Sequence, residues 1–446
     1  MENKKWYRLT DSRNTTTWIA MVLIALVATM GSTMENTWYN TYVYNNVTPN
    51  TQAVAWMVSV SAVTAALGAI VFGAVSDRSH SRWGRRKPFI LFGLLTAGVL
   101  TIVFSFADKI QSTAIAVPYI VVVDSVMMIG FGAAYDGAFG GYITDITNTG
   151  NRARVQSVIS IVVGVATVLT SAIAGVIIDQ FGYPVFFICI GSLMIIAGVL
   201  GGIMLQDEPG AQGEAAVHEK TLIGEILDNF RWNSIIRNKD LFLLLLAVLI
   251  WGCGWYAVIV YLTIYVMQYL GFTTTQAGIA GAVPMVIGML VALPIGALSD
   301  KLGRKKISIA LLIMMVFGAI IFSFVKPGVS LPVLMIFLTI LMLPLTGFGV
   351  CGNAWAKDLF PKGKTAQFAG LSLVFIVTVP MIIGSNLGSY VIAHYGTPAI
   401  IDGKAGFAPT PLLFWVAAVA TVLCIIPVLF IRQDHKATDE KEVQSL

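Results

Sequence analysis

The chain has 446 residues, 57% of them apolar and only 11% charged, where soluble proteins carry about a quarter charged residues. That balance excludes a water-soluble globule and indicates a polytopic membrane protein. The net charge of +5 is small and belongs to loops, so no nucleic-acid partner is implied.

Nothing at the start pairs a short apolar segment with a small-residue cleavage site, so the first span is expected to stay in the mature protein. Crossing a bilayer takes about 20 apolar residues. Twelve such segments are expected near 16–43, 53–76, 88–107, 114–142, 156–178, 184–204, 241–268, 276–299, 307–325, 331–355, 366–394 and 410–431. The fold class is therefore an all-α membrane protein. With both termini cytoplasmic, only Lys109, Lys326 and Lys404 of the 28 Lys and Arg fall in outward loops. The positive-inside rule then sets the orientation of a multi-pass protein of the cell membrane, in contact with the lipid bilayer.

The first helix ends in GSTMENTWYNTYVYN. At 3.6 residues per turn Glu35, Tyr39 and Tyr42 share one face, and Asn36 and Asn40 an adjacent one. A carboxylate, amides and rings suit a sugar, whose hydroxyls take bidentate partners and whose C–H face stacks on aromatics. An interfacial aromatic belt is the competing reading.

The stretch from Gly73 to Gly93, GAVSDRSHSRWGRRKPFILFG, joins the second and third spans. A second copy, GALSDKLGRKK, begins at Gly296, half a chain later. The chain therefore reads as two related six-helix halves, 1–204 and 241–446, joined by a cytoplasmic linker at 205–240. Glycine, three residues, aspartate, Arg or Lys, then Gly-Arg-Arg/Lys-Lys resembles the loop signature of the major facilitator superfamily. The longer first copy, ending in Ser-Arg-Trp-Gly-Arg, is similar to the glycoside–pentoside–hexuronide cation symporters and the sucrose-transporter branch beside them. The resemblance implies two pseudo-symmetric six-helix bundles that rock about a central cavity. It also implies a gating role for Asp77, Arg78, Arg85 and Arg86 in the first half and for Asp300, Lys301 and Arg304 in the second.

Ionisable side chains deep in a span are costly and mark function by default. Three acids lie there, Glu35, Asp124 and Asp136, with no Lys, Arg or His at comparable depth. A carboxyl buried without a cation suits carrying a proton. Asp124 and Asp136 stand twelve residues apart in the fourth helix, roughly 18 Å along its axis, so they cannot form one pair. Around Asp136 lie Tyr135 and the glycines Gly130, Gly132, Gly137, Gly140 and Gly141, which let a neighbouring helix come close. The glycoside symporters have a functional aspartate at a similar spacing, which implies Asp136 as coupling acid. Asp124 matches instead the mid-helix aspartate of the sucrose-transporter branch, and the choice among the three stays open.

Sodium-using members carry two aspartates in the second helix, where this chain has Ala65 and Ala69. A hard cation wants several oxygen ligands, so the coupling ion is expected to be H+ and not sodium. No cofactor or metal is expected. The four cysteines, Cys189, Cys253, Cys351 and Cys424, lie in apolar runs without metal-site spacing and read as small hydrophobes.

In the second half Trp251 and Trp255, one turn apart, are candidates for the cavity wall, packing aromatics being the alternative. Asn353 and Trp355 in the tenth helix and Asn386 in the eleventh complete the candidate substrate set. No GxxxxGK[ST], HExxH or GxSxG pattern occurs, which leaves an enzyme reading without residues to carry it. The expected function is secondary active transport, a proton-coupled symport of a sugar or glycoside (a di- or oligosaccharide) by a monomer. A proton-driven exporter of small amphipathic compounds is the alternative, and a non-transporting membrane sensor a third reading.

Overall fold

A computed structural model describes residues 12–79, 81, 83–147, 151–206, 239–360 and 373–432. The expected linker at 205–240 falls almost wholly outside them.

In hydrocarbon every backbone N–H and C=O must be satisfied within its own segment or a closed barrel. The described chain answers with twelve helices long and apolar enough to cross a membrane. They are α1 Thr15–Val47, α2 Thr51–Arg78, α3 Lys87–Phe104, α4 Thr113–Ile146, α5 Arg152–Phe181 and α6 Tyr183–Met204. Then come α7 Lys239–Tyr269, α8 Thr274–Leu302, α9 Arg304–Ser323, α10 Leu331–Asp358, α11 Val374–Tyr395 and α12 Leu412–Phe430.

These helices form two compact units, one holding 12–38 and 60–206, the other 39–59 and 239–432. In the first, α1 packs on α5 and α6, and α3 on α4 and α6; in the second, α7 packs on α11 and α12, and α9 on α10 and α12. The second pattern is the first displaced by six helices, as the duplicated loops require. The last turns of α1 and the first turns of α2 lie in the second unit, where Asn40–Tyr42 packs on α7.

Small residues set the helix spacing, because lipid offers no hydrophobic drive to press helices together. A Cβ on Gly98 of α3 would stand 2.6 Å from the Gly191 carbonyl of α6, and one on Gly132 of α4 would stand 2.5 Å from the Ala65 carbonyl of α2. The backbones there are nearly in contact.

Several helices are locally π-wound: α1 at Met34–Tyr39 and Val43–Val47, α4 at Gly132–Phe139, α7 at Tyr265–Tyr269 and α11 at Val374–Thr378. Such widenings are rare and collect at functional sites. In α1 the widening breaks the 3.6-residue period assumed from sequence. Glu35 lies in the first unit, while Tyr39 and Tyr42 lie in the second.

The loop between α11 and α12 folds into a hairpin of β1 Thr397–Ile401 and β2 Lys404–Ala408. Its two turn residues, Asp402 and Gly403, have φ of 49° and 73°, the left-handed pair that a tight right-twisted hairpin needs. Asp-Gly is a dipeptide that such a turn favours, although the hairpin is not among the elements expected from the sequence, which are all helices.

Gly132→Ala is expected to cost about 1–3 kcal/mol through overpacking against Ala65. At Gly281 of α8 nothing lies within 4 Å of an added Cβ, so Gly281→Ala should hold or raise stability by about 0.5–1 kcal/mol. Thermal unfolding of the two purified variants beside the parent checks the contrast.

Candidate functional site

In the first unit, α1 and α4 bring Glu35 and Asp124 into one buried place, 3% and 0% exposed. Each is the other's charged neighbour, and the Ser61 hydroxyl of α2, itself 1% exposed, faces both carboxyls. Neither oxygen of Asp124 nor Oε2 of Glu35 meets a donor at hydrogen-bonding geometry. Among the described residues no Lys, Arg or His pairs with either acid. Two carboxyls stripped of water, next to each other and without a cation, cannot both hold full charge cheaply.

Asp136 is placed differently. It is exposed on α4. Beside it Tyr135 stacks between Phe131 and Phe139, at centroid distances of 5.6 and 5.5 Å, and its hydroxyl is faced by Thr29 of α1. Further along α1, Asn36 is exposed and its amide donates to the Ser32 carbonyl at 2.9 Å. The first unit therefore separates a buried acid pair from an accessible amide, ring and carboxylate. Tyr39 and Asn40 are fully buried on the second unit.

The second-unit candidates do not form one patch. Trp251 donates to the Met315 sulfur at 3.2 Å and meets Phe348 edge to face, and Trp355, 1% exposed, belongs to the same apolar core. Trp255 is buried. Asn353 is exposed and donates to the Gly349 carbonyl within its own helix. Asn386 is engaged with α2: its amide donates to Ser59 at 2.9 Å and its carbonyl accepts from Gln52 at 2.9 Å.

The basic loops build one arrangement twice. Arg86 pairs with Asp77, with Asp145 at 2.7 Å and with the Ser76 hydroxyl at 3.1 Å. Arg85 reaches the same Asp145 oxygen at 2.7 Å. In the second unit Arg304 pairs with Asp300 at 2.7 Å, Asp358 at 2.9 Å and the Ser299 hydroxyl at 2.9 Å. The arginine side chains are only 9% and 11% exposed, so each guanidinium depends on its carboxylates for the solvation it has lost. A Cβ on Gly141 would overlap the Arg86 guanidinium, which explains a bare residue at that point of α4. Arg78 and Lys301 lie beside these clusters, Lys301 exposed. The partners Ser76, Asp145 and Ser299 were outside the gating set read from the sequence, whereas Asp358, beside Lys357, reads from the sequence as part of the cytoplasmic gate. An acid at the basic end of α4 was the signal for Asp145.

Among known proteins, the family profile described as Major Facilitator Superfamily matches residues 21–372 and, overlapping, 262–445. A Staphylococcus aureus (strain COL) protein named "Putative proline/betaine transporter" is 23% identical over 256 residues, 54% of this chain and 51% of that protein. The arabinose-proton symporter of Bacillus subtilis (strain 168) is 29% identical over 184 residues, 40% of this chain and 35% of that one. The chain thus aligns with about half the length, or less, of these relatives. Among solved structures, a D-xylose-proton symporter superposes with a TM-score of 0.70 at 15% identity, over 95% of this chain and 98% of that one. A nucleoside transporter gives 0.72 at 12%, over 93% and 98%. At these identities the likeness is one of fold.

Arg86→Ala and Arg304→Ala are each expected to lower stability by about 1–3 kcal/mol, since each loses charge-assisted hydrogen bonds to carboxylates that keep part of their water. Replacing the two in turn and comparing melting midpoints tests whether the duplicated clusters carry equal weight.

Proposed function

The chain belongs to the major facilitator superfamily of membrane transporters and is not an enzyme, and from that premise we propose that it is a proton-coupled symporter carrying a sugar or glycoside into the cell. The observation that carries the reading is the Glu35–Asp124 pair, buried without a cation and faced by Ser61. One proton held between the two carboxyls lowers the charge there from two negative charges to one, and so removes the repulsion between them. Binding and release of that proton gives two states of the site with different charge, the differential that coupling requires.

The substrate falls to the accessible group. Asp136 and Asn36 offer acceptors and donors for the hydroxyls of a sugar, and the Tyr135 hydroxyl lies beside them. This division assigns the proton to the buried acids and the cargo to Asp136. The arabinose and xylose symporters among the similar proteins support the substrate class and the coupling ion by their names alone. The carrier works as a monomer in the plasma membrane, with both termini and the two arginine clusters on the cytoplasmic side, as the charge distribution favours.

Adding a panel of di- and oligosaccharides to unbuffered cells should alkalinise the medium with one of them. Asp124→Asn and Glu35→Gln should each abolish that signal while leaving sugar exchange across the membrane measurable. Asp136→Asn should weaken exchange itself by about tenfold or more, the effect of losing ~1.4 kcal/mol of binding. Alkalinisation with proline or betaine and with no sugar would reject the sugar reading. Drug resistance on expression, without uptake, would turn the direction to export.

A further inference from the structure

Within the second unit, the segment 39–59 is held by elements that follow it in the chain by two hundred residues or more. Tyr44 donates from its hydroxyl to the Phe407 carbonyl of β2 at 2.6 Å. Lys404, the first residue of β2, donates to the Val47 carbonyl at 2.8 Å. Val47 closes α1, and its carbonyl is one of those a helix end leaves without an intrahelical partner. A Cβ on Gly406 would stand 2.6 Å from that of Pro49, so β2 lies directly on the α1–α2 turn. Ile401 and Ala408, at the two ends of the hairpin, are 5% and 4% exposed.

Beneath the hairpin the same segment is fastened by uncharged groups. Gln268 donates to Asn45 at 2.9 Å, Gln52 to Asn386 at 2.9 Å, and Tyr261 to the Thr51 carbonyl at 3.2 Å. The hydroxyls of Thr51 and Ser389 meet at 3.0 Å. These are neutral hydrogen bonds between groups that water can satisfy equally well once the segment lifts, so each is made and broken at small net cost.

We propose that the β1–β2 hairpin is a latch: Lys404 and Gly406 clamp the α1–α2 turn and keep water from the polar seam at Thr51, Gln52, Ser389 and Asn386, and release of the hairpin opens that seam. The latched segment continues directly into Glu35 on one side and Ser61 on the other. Opening therefore acts on both helices that deliver groups to the buried acids. That link to the proton rests on the function proposed above; the latch itself does not.

The test needs no substrate, which keeps its failure separate from failure of the sugar–proton reading. Ser389, 1% exposed under Thr51, is changed to Cys, and its reaction with a membrane-impermeant maleimide is timed in whole cells, the parent chain with its four cysteines giving the blank. Lys404→Ala, at an exposed side chain, should speed labelling by about tenfold, the effect of losing one charge-assisted hydrogen bond. Gly406→Val, which forces the strand off Pro49, should do the same. Unchanged labelling in both overturns the latch. An equal rise in Lys326→Ala, a lysine of another loop outside the contact, overturns it as well.

Discussion

The close entry of α4 between α2 and α3 governs this molecule. Gly132 lies against the Ala65 carbonyl, and an added Cβ on Gly93 of α3 would come within 2.5 Å of the Gly130 carbonyl. A helix held at that distance on two sides has little freedom to rotate or slide. Three aspartates ride on it, Asp124 at the buried pair, Asp136 at an exposed position and Asp145 at the arginine cluster. The packing constraint thereby holds a buried, an exposed and an ion-paired carboxylate at fixed separations along one axis. The π-wound turn at Gly132–Phe139 falls where the glycines are densest, and it sets the angle at which Asp136 leaves the axis.

Much of the architecture could be read directly. Twelve apolar runs, a loop signature found twice and a one-sided distribution of Lys and Arg lead to the fold without further information, because a bilayer permits so few solutions. The spans come out close to those expected: α1, α2, α4, α5 and α8 run a few residues longer, α3 and α12 stop short, and the expected start of the eleventh span at 366–372 lies outside the described residues. The arginine clusters were half legible: Asp77 and Asp300 lie within a few residues of the arginines they serve, whereas Asp145 and Asp358 come from the far end of another helix. Sequence spacing carries no trace of such a contact.

The acids show the same limit. Counting along α4 separates Asp124 from Asp136, and it is silent on Glu35, which lies on α1 and reaches Asp124 only through the tertiary fold. A period of 3.6 was the wrong ruler for α1, since its polar end is π-wound and its last turns are carried by the other unit. Trp251 and Trp355 illustrate a different difficulty. Aromatics one face apart on an apolar helix look alike whether they line a cavity or fill a core, and here Phe348 and the surrounding aliphatics have claimed both.

The duplicated arginine clusters also bear on how the chain is made. Arg86 precedes Asp145 by 59 residues, and Arg304 precedes Asp358 by 54. At about 5–20 residues per second, each arginine is synthesised roughly 3–12 s before its distant carboxylate exists. During that interval only the nearer aspartate can answer its charge. Asp77 and Asp300, which end up the more exposed partners at 46% and 58%, are thus the carboxylates of each cluster that are already in the chain when its arginine is made.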